Sequence, residues 1–166
     1  MQANLQELKE TYSRQTYSVF SINRQQKIAD SQVTFSLAHS VFIIPVFGAA
    51  EITIGGNEFV CEGTTVVHVP AGQTVTYRTL YGRSFDHVNI YYDGIQGDVT
   101  SPIFNAYAFD PQGFDRILDK ALDLEKLNTT PSLDNRVAQI VNGTELIKSM
   151  FLLTNSQKVQ ESMAEA

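Results

Sequence analysis

The stretch HSVFIIPVFGAAEITIGGNEFVCEGTTVVHVPAGQTVTYRTL, from His39 to Leu80, decides the fold. It is rich in Val, Ile, Thr, Tyr and Phe, and Gly, Asn or Pro interrupts it every few residues. β-Branched and aromatic side chains suit a half-buried pleated surface, and the interrupting residues suit turns. The stretch therefore reads as several short antiparallel strands of a barrel or sandwich. Between Ile54 and Glu58 the residues GGN supply the positive φ of a tight hairpin. EGT and PAG punctuate the next two connections. Working outward, TYSVFSI (Thr16 to Ile22) and QVTFSL (Gln32 to Leu37) precede the stretch as strands, and SFDHVNIYY (Ser84 to Tyr92) follows it.

Past Gly97 the apolar period changes to 3.6. Asp110 followed by Pro111 is a helix start, an oxygen-bearing cap and then a proline at the first helical position. Phe114, Ile117, Leu118, Ala121, Leu122 and Leu124 give that helix an apolar face ending near Leu127. A second helix starts at Thr130-Pro131 or at Ser132 and runs to about Leu153. On it Leu133, Val137, Ile140, Thr144, Ile147 and Phe151 repeat at alternating spacings of four and three. Such a stripe either packs the helix onto the strands or forms the seam of a homodimer, and one helix can do both. Gly143 weakens the helix by roughly 1 kcal/mol relative to alanine. The expected architecture is mainly β with C-terminal α, an antiparallel β-barrel followed by two or more helices.

A chain of 166 residues with 43% hydrophobic and 10% aromatic residues has the length and composition of one globular domain. No run approaches the ~18 apolar residues of a membrane span. The N-terminus, MQANLQELKE, lacks a signal-peptide pattern, which points to a cytoplasmic protein without membrane association. The formal net charge is −6 and no basic run occurs. Gripping phosphates requires Lys and Arg, so these residues are not the part of any regulator that touches DNA. Cys61 is the only cysteine, so an internal disulfide and a thiolate pair are both excluded.

The His39 to Leu80 stretch resembles the cupin (jelly-roll) core of AraC-type transcription-regulator sensor domains. The carriers of the resemblance are an apolar strand ending in Gly48, the Glu51 to Ile54 strand, the GGN hairpin, EFVCEGT, and Pro70-Ala71-Gly72. FDHVNIYYD looks like the strand that closes such barrels, and the helices after Asp110 are similar to those that mediate dimerisation there. The resemblance covers about residues 15 to 155. It implies an N-terminal arm over residues 1–15, a sensor barrel over 16–97, a helical dimerisation region over 98–155, and the start of a linker over 156–166. The linker would lead to a helix-turn-helix DNA-binding domain absent from this chain. Many cupins hold a metal with three histidines and a glutamate. Aligned on Gly48 and on the Pro70 turn, those positions fall near Thr34 and Ser36 and on Val41 and Val75. None of these is a metal ligand, so the resemblance implies a metal-free barrel with no cofactor.

The remaining candidates follow from parity. In a strand, His87, Asn89 and Tyr91 share one face, with Asp86, Val88, Ile90 and Tyr92 on the other. A cavity lined by His, Asn and Tyr orients a small molecule with a few hydrogen bonds. Tyr77 adds a hydroxyl and a stacking surface. Ser36 and Val41, at former metal positions, complete the ligand-binding set of Ser36, Val41, Tyr77, His87, Asn89 and Tyr91. Alternatively these residues pack on the outer face beneath the helices. His68 reads as a hydrogen-bonded structural histidine and His39 as solvated. No GxSxG and no nucleophile triad can be argued, and Asp115, Asp119 and Asp123 form a solvated helix face. The expectation is an effector-sensing, homodimeric domain that is not an enzyme and has no catalytic residues. The alternatives are a cupin enzyme of isomerase type, with His87 and Tyr77 or Glu51 as acid and base, and a stand-alone binding protein.

Overall fold

The computed structural model of the chain describes residues 5–14, 17–94, 105–152 and 159–161. It opens with a helix, α1 (Leu5–Arg14). Nine strands follow: β1 (Tyr17–Lys27), β2 (Gln32–Ser36), β3 (Ser40–Phe47), β4 (Ala50–Ile54), β5 (Asn57–Cys61), β6 (Val66–Val69), β7 (Thr74–Thr79), β8 (Phe85–Gly94) and β9 (Tyr107–Phe109). Helices α2 (Phe114–Lys126) and α3 (Leu133–Leu152) come next, joined through a 3-10 turn, and a strand β10 (Val159–Glu161) closes the order. One sheet has the order β1-β8-β3-β6-β9-β10, the other β2-β7-β4-β5. They face each other as a jelly-roll-like sandwich, the cupin arrangement.

Alternation along the strands divides the interior into two cores. Val41, Ile43, Ile52, Phe59, Val67, Val75, Tyr77 and Phe85 fill the space between the sheets. Ile22, Phe42, Ile44, Val88, Ile90 and Tyr92 project from the other face of the six-stranded sheet. There they pack against Leu8 and Tyr12 of α1, Ile117 and Ala121 of α2, and Ile147 and Phe151 of α3. Strand β8 is the shared wall, with one parity in each core.

The chain changes sheets between β3 and β4 at Gly48, which has φ of 75°. A Cβ there would drive into the Ser84 carbonyl oxygen. Gly48→Ala should therefore cost roughly 2–4 kcal/mol, from the left-handed backbone and the backbone overlap together. A lowered urea midpoint at unchanged m-value would record it. An unchanged midpoint would show that the corner relaxes freely.

Several expectations change. Residues 1–15 read as an arm, yet Leu5–Arg14 is a helix whose Leu8 and Tyr12 are fully buried in the helix-side core. The six-stranded sheet does not end at residue 97: β9 pairs with β6, and β10, within the stretch assigned to a linker, pairs with β9. The rest of 156–166 lies outside the described residues. Asp110 does not cap α2. Its carboxylate accepts hydrogen bonds from the hydroxyls of Thr64 (3.1 Å) and Thr65 (2.7 Å), and the helix begins after Gly113. Ser132 does cap α3, its Oγ accepting from the Asn135 amide at 3.0 Å. Gly143 has a packing reason: a Cβ there would sit 3.1 Å from Ile22 and Val19, so glycine lets α3 lie close on β1. Among the described residues no helix is long and apolar enough to cross a membrane.

Candidate ligand site between the sheets

His87 and Asn89 are fully buried on the inner face of β8, and Tyr91 beside them is half-buried. Opposite in register on β1 lies polar sequence: Asn23 faces Asn89 and Gln25 faces His87. Strand β1 continues to Lys27, which is only 7% exposed. The side chains close a ring. The Lys27 ammonium donates to Gln25 Oε1 (3.0 Å) and to His87 Nε2 (3.1 Å). The other imidazole nitrogen, Nδ1–H, donates to Asn89 Oδ1 at 2.8 Å. Asn89 Nδ2 and Gln25 Nε2 both donate to the Tyr91 hydroxyl oxygen, at 3.0 and 3.3 Å.

Aromatic rings wall this network. Phe85 and Tyr77 stack on His87 with centroids 4.6 and 5.5 Å away. The ammonium of Lys27 lies 4.6 Å from the centre of the Tyr77 ring and 5.2 Å from that of Phe35. Burial pulls Lys27 down to about 8, so it remains mostly a cation at neutral pH. Burial, and then the charge of Lys27, pull His87 down to about 4, which leaves it neutral. Outside, Gln25, Gln26, Lys27, Ile28, Ser31, Val33 and Phe35 line an open groove of about 490 Å³.

Of the residues read from sequence, His87, Asn89, Tyr91 and Tyr77 come together here, and Val41 lies opposite Tyr91 in the adjoining strand. Ser36 does not. It is exposed on the outer parity of β2 with Thr34, whose hydroxyl meets that of Thr76 at 3.0 Å; the inward residues are Val33 and Phe35. Glu51, a candidate acid or base, is on the outer face with Arg78 at 3.1 Å. Sequence reasoning missed Gln25 and Lys27 because NRQQK carries no apolar alternation. The one available signal was a polar run continuing β1 opposite β8. A cupin metal does not fit the inherited positions: Thr34 and Ser36 are exposed, and Val41 and Val75 are core. His68 and His87 lie on opposite faces of the sheet. Among the described residues no three His, Cys, Asp or Glu side chains converge as a metal set.

His68 belongs to the helix-side core. Its Nδ1–H donates to the Asn105 carbonyl (2.8 Å), and its Nε2 accepts from the Tyr92 hydroxyl (2.6 Å). The Tyr12 hydroxyl, 2.7 Å from that of Tyr92, also accepts from Tyr107 at 2.7 Å. Burial pulls His68 down to about 3. Both buried histidines thus bind a proton more weakly folded than unfolded, where the pKa is near 6.5, so acid favours the unfolded state. Each should remove up to ~1.4 kcal/mol of stability per pH unit below about 6.5 until its folded value is reached. Melting temperature should fall from pH 7 to pH 5, and His68→Gln should flatten that dependence. An equally steep profile in the variant would assign the acid sensitivity elsewhere.

The stripe on α3 divides. Leu133 is 79% and Val137 49% exposed, with Val141 at 55% beside them, whereas Ile140 and Thr144 are half-buried. Ile147 and Phe151 are not available to a dimer partner: both are fully buried in this chain's own core, Phe151 stacked on Tyr12 at 4.5 Å. The buried face of α3 runs from Gln139 through Gly143 to Leu146, Ile147, Met150 and Phe151, so the stripe is solvent-facing at its start and core at its end.

No family model matches the chain, and no curated protein matches it. Solved structures do. The chain is similar to unsaturated-fatty-acid-bound wild-type ToxT from Vibrio cholerae strain SCE256, with a TM-score of 0.51 at 11% identity; the match covers 83% of this chain and 53% of that one. It is similar to the Cnp3 cupin domain of Schizosaccharomyces pombe (TM-score 0.40, 14% identity, 47% and 62% coverage). A third match is a salicylate 1,2-dioxygenase from Pseudaminobacter salicylatoxidans (TM-score 0.39, 8% identity, 49% and 28% coverage). These likenesses show the cupin fold. The expectation that the chain is not an enzyme does not stand: a shared fold neither assigns nor excludes catalysis.

Proposed function

We propose that the chain is the effector-sensing and dimerising part of an AraC-type transcription regulator, controlling DNA binding by a C-terminal domain that would follow it. The observation that carries this reading is the hydrogen-bonded ring of Lys27, Gln25, His87, Asn89 and Tyr91, whose Lys27 and Gln25 reach the groove between β1 and β2 while His87 and Asn89 back them from the interior. A concave, aromatic-walled space with a few convergent polar groups is what a small-molecule site requires. Strand β8 links it to the helices, since Val88, Ile90 and Tyr92 alternate with the ring residues and pack on the helix side. A ligand that favours one arrangement of β8 thereby biases α1, α2 and α3.

Fragment screening by NMR tests the site. Binding fragments should shift the methyls of Val33 and Val41 and the ring of Tyr91, and His87→Ala should weaken them without lowering the melting transition out of range. Fragments gathering instead in the groove lined by Leu127, Pro131, Ser132, Arg136 and Gln139, about 450 Å³, would overturn the reading.

The homodimer runs through the exposed start of α3, where Leu133, Val137 and Val141 recur every fourth residue as an apolar stripe. Val137→Glu should leave a folded monomer by light scattering. A dimer unchanged by this substitution would move the interface off α3.

A further inference from the structure

Every acceptor of the ring receives a hydrogen bond, with one lone pair each still open on Gln25 Oε1 and Asn89 Oδ1, and donors remain. Gln25 Oε1, His87 Nε2 and Asn89 Oδ1 each receive a hydrogen bond, and the Tyr91 oxygen receives two. Among the described residues nothing accepts from the third N–H of Lys27, the Tyr91 hydroxyl proton, or the second amide N–H of Asn89 and of Gln25. The nearby charges are also one-sided. Among the described residues no carboxylate pairs with Lys27, and Asp86 is held on the opposite face of β8 by Arg24, at 3.0 Å from Nε. A buried cation without a counter-ion is costly, and an acceptor-only anion would relieve both deficits at once.

We infer that the ligand of this site is an organic monoanion, a carboxylate on an aromatic or apolar body, whose oxygens accept hydrogen bonds from Lys27 and Gln25 where these two side chains reach the groove. The inference rests on the effector-binding reading and names the ligand class of that site. One cation matches one negative charge, and a phosphate would bring about two with a single lysine to meet them. Phe35, Ile28 and Val33 along the groove suit an apolar body rather than a sugar.

The test uses four probes on the full chain: phenylacetate, 3-phenylpropanoate, and the primary amide of each. Each acid should bind roughly tenfold or more tightly than its amide, the size expected of a buried charge-assisted hydrogen bond. Lys27→Met should bring the acid down to the level of the amide and leave the amide affinity in place. On the unmodified chain, acid affinity should fall as pH rises through about 8 while amide affinity stays level. The groups facing Nζ are Gln25 on its own strand, His87 on β8, Tyr77 on β7 and Phe35 on β2, and none of them changes charge between pH 7 and 9 in that site. Should the variant not fold, this pH titration decides alone. Acids and amides binding equally in the groove would overturn the anion inference and leave the sensor reading standing. No shift at Val33 or Ile28 with any probe would overturn the inference and count against the site itself.

Discussion

Ile147→Glu should abolish folding rather than yield a soluble monomer. The heptad-like stripe on α3 invites the opposite expectation, since Leu133 and Ile147 belong to the same series. In the structure, however, Ile147 is fully buried beside Leu146, Met150 and Phe151, in the core shared with Ile22 of β1 and Leu8 of α1. A carboxylate there would be cut off from water, since Ile147 is fully buried among apolar side chains. The loss of apolar contact and the burial of an unpaired polar group together cost about 5 kcal/mol or more, comparable with the whole stability of a domain this size. Circular dichroism should show no cooperative melting above 20 °C (about room temperature). The milder Ile147→Val should cost only roughly 1 kcal/mol and leave the transition intact. A folded Ile147→Glu monomer would mean that the end of α3 faces a second chain and not its own sheet.

Tyr12→Ala should be nearly as damaging, although Tyr12 lies in a stretch that reads as an arm. Its ring stacks on Phe151 with centroids 4.5 Å apart and packs edge-on against Phe42 and Tyr92. Its hydroxyl meets those of Tyr92 and Tyr107. Truncation opens a cavity the size of an aromatic ring and strips partners from two buried hydroxyls, at about 3–5 kcal/mol. Tyr12→Phe isolates the polar share and should cost about 1–3 kcal/mol. Urea unfolding separates the two variants. Wild-type stability in both would mean that α1 is a detachable arm after all, and that the helix-side core is complete without it.

The strands were legible where the physics is local. Val, Ile and Tyr alternate, Gly48 and Gly55 mark the turns, and Ser132 followed by an apolar stripe announces α3. That His87, Asn89 and Tyr91 share one face followed from counting by two along β8; which face points between the sheets needed the structure. What escaped reading was set by tertiary contact. The start of β1 is visible in TYSVFSI, but its end, NRQQK, is polar because Gln25 and Lys27 turn toward the space between the sheets and the ring. Local propensity fails there because the strand is held by β8 rather than by its own composition. Ser36 was misplaced by one residue of parity, which in a strand exchanges faces. Tyr12 could not be found, since nothing in LQELKETYSR shows that three buried tyrosines and His68 converge. The end of α3 likewise needed the position of β1.

The most direct test is native mass spectrometry of the chain after incubation with the small-molecule extract of the cells that produce it, beside Lys27→Met and Asn89→Leu variants. The account predicts an adduct on the unmodified chain, released on unfolding as an organic acid and lost from both variants. A chain that takes up nothing, or an adduct retained equally by both variants, would contradict a ligand site at the β1–β8 ring.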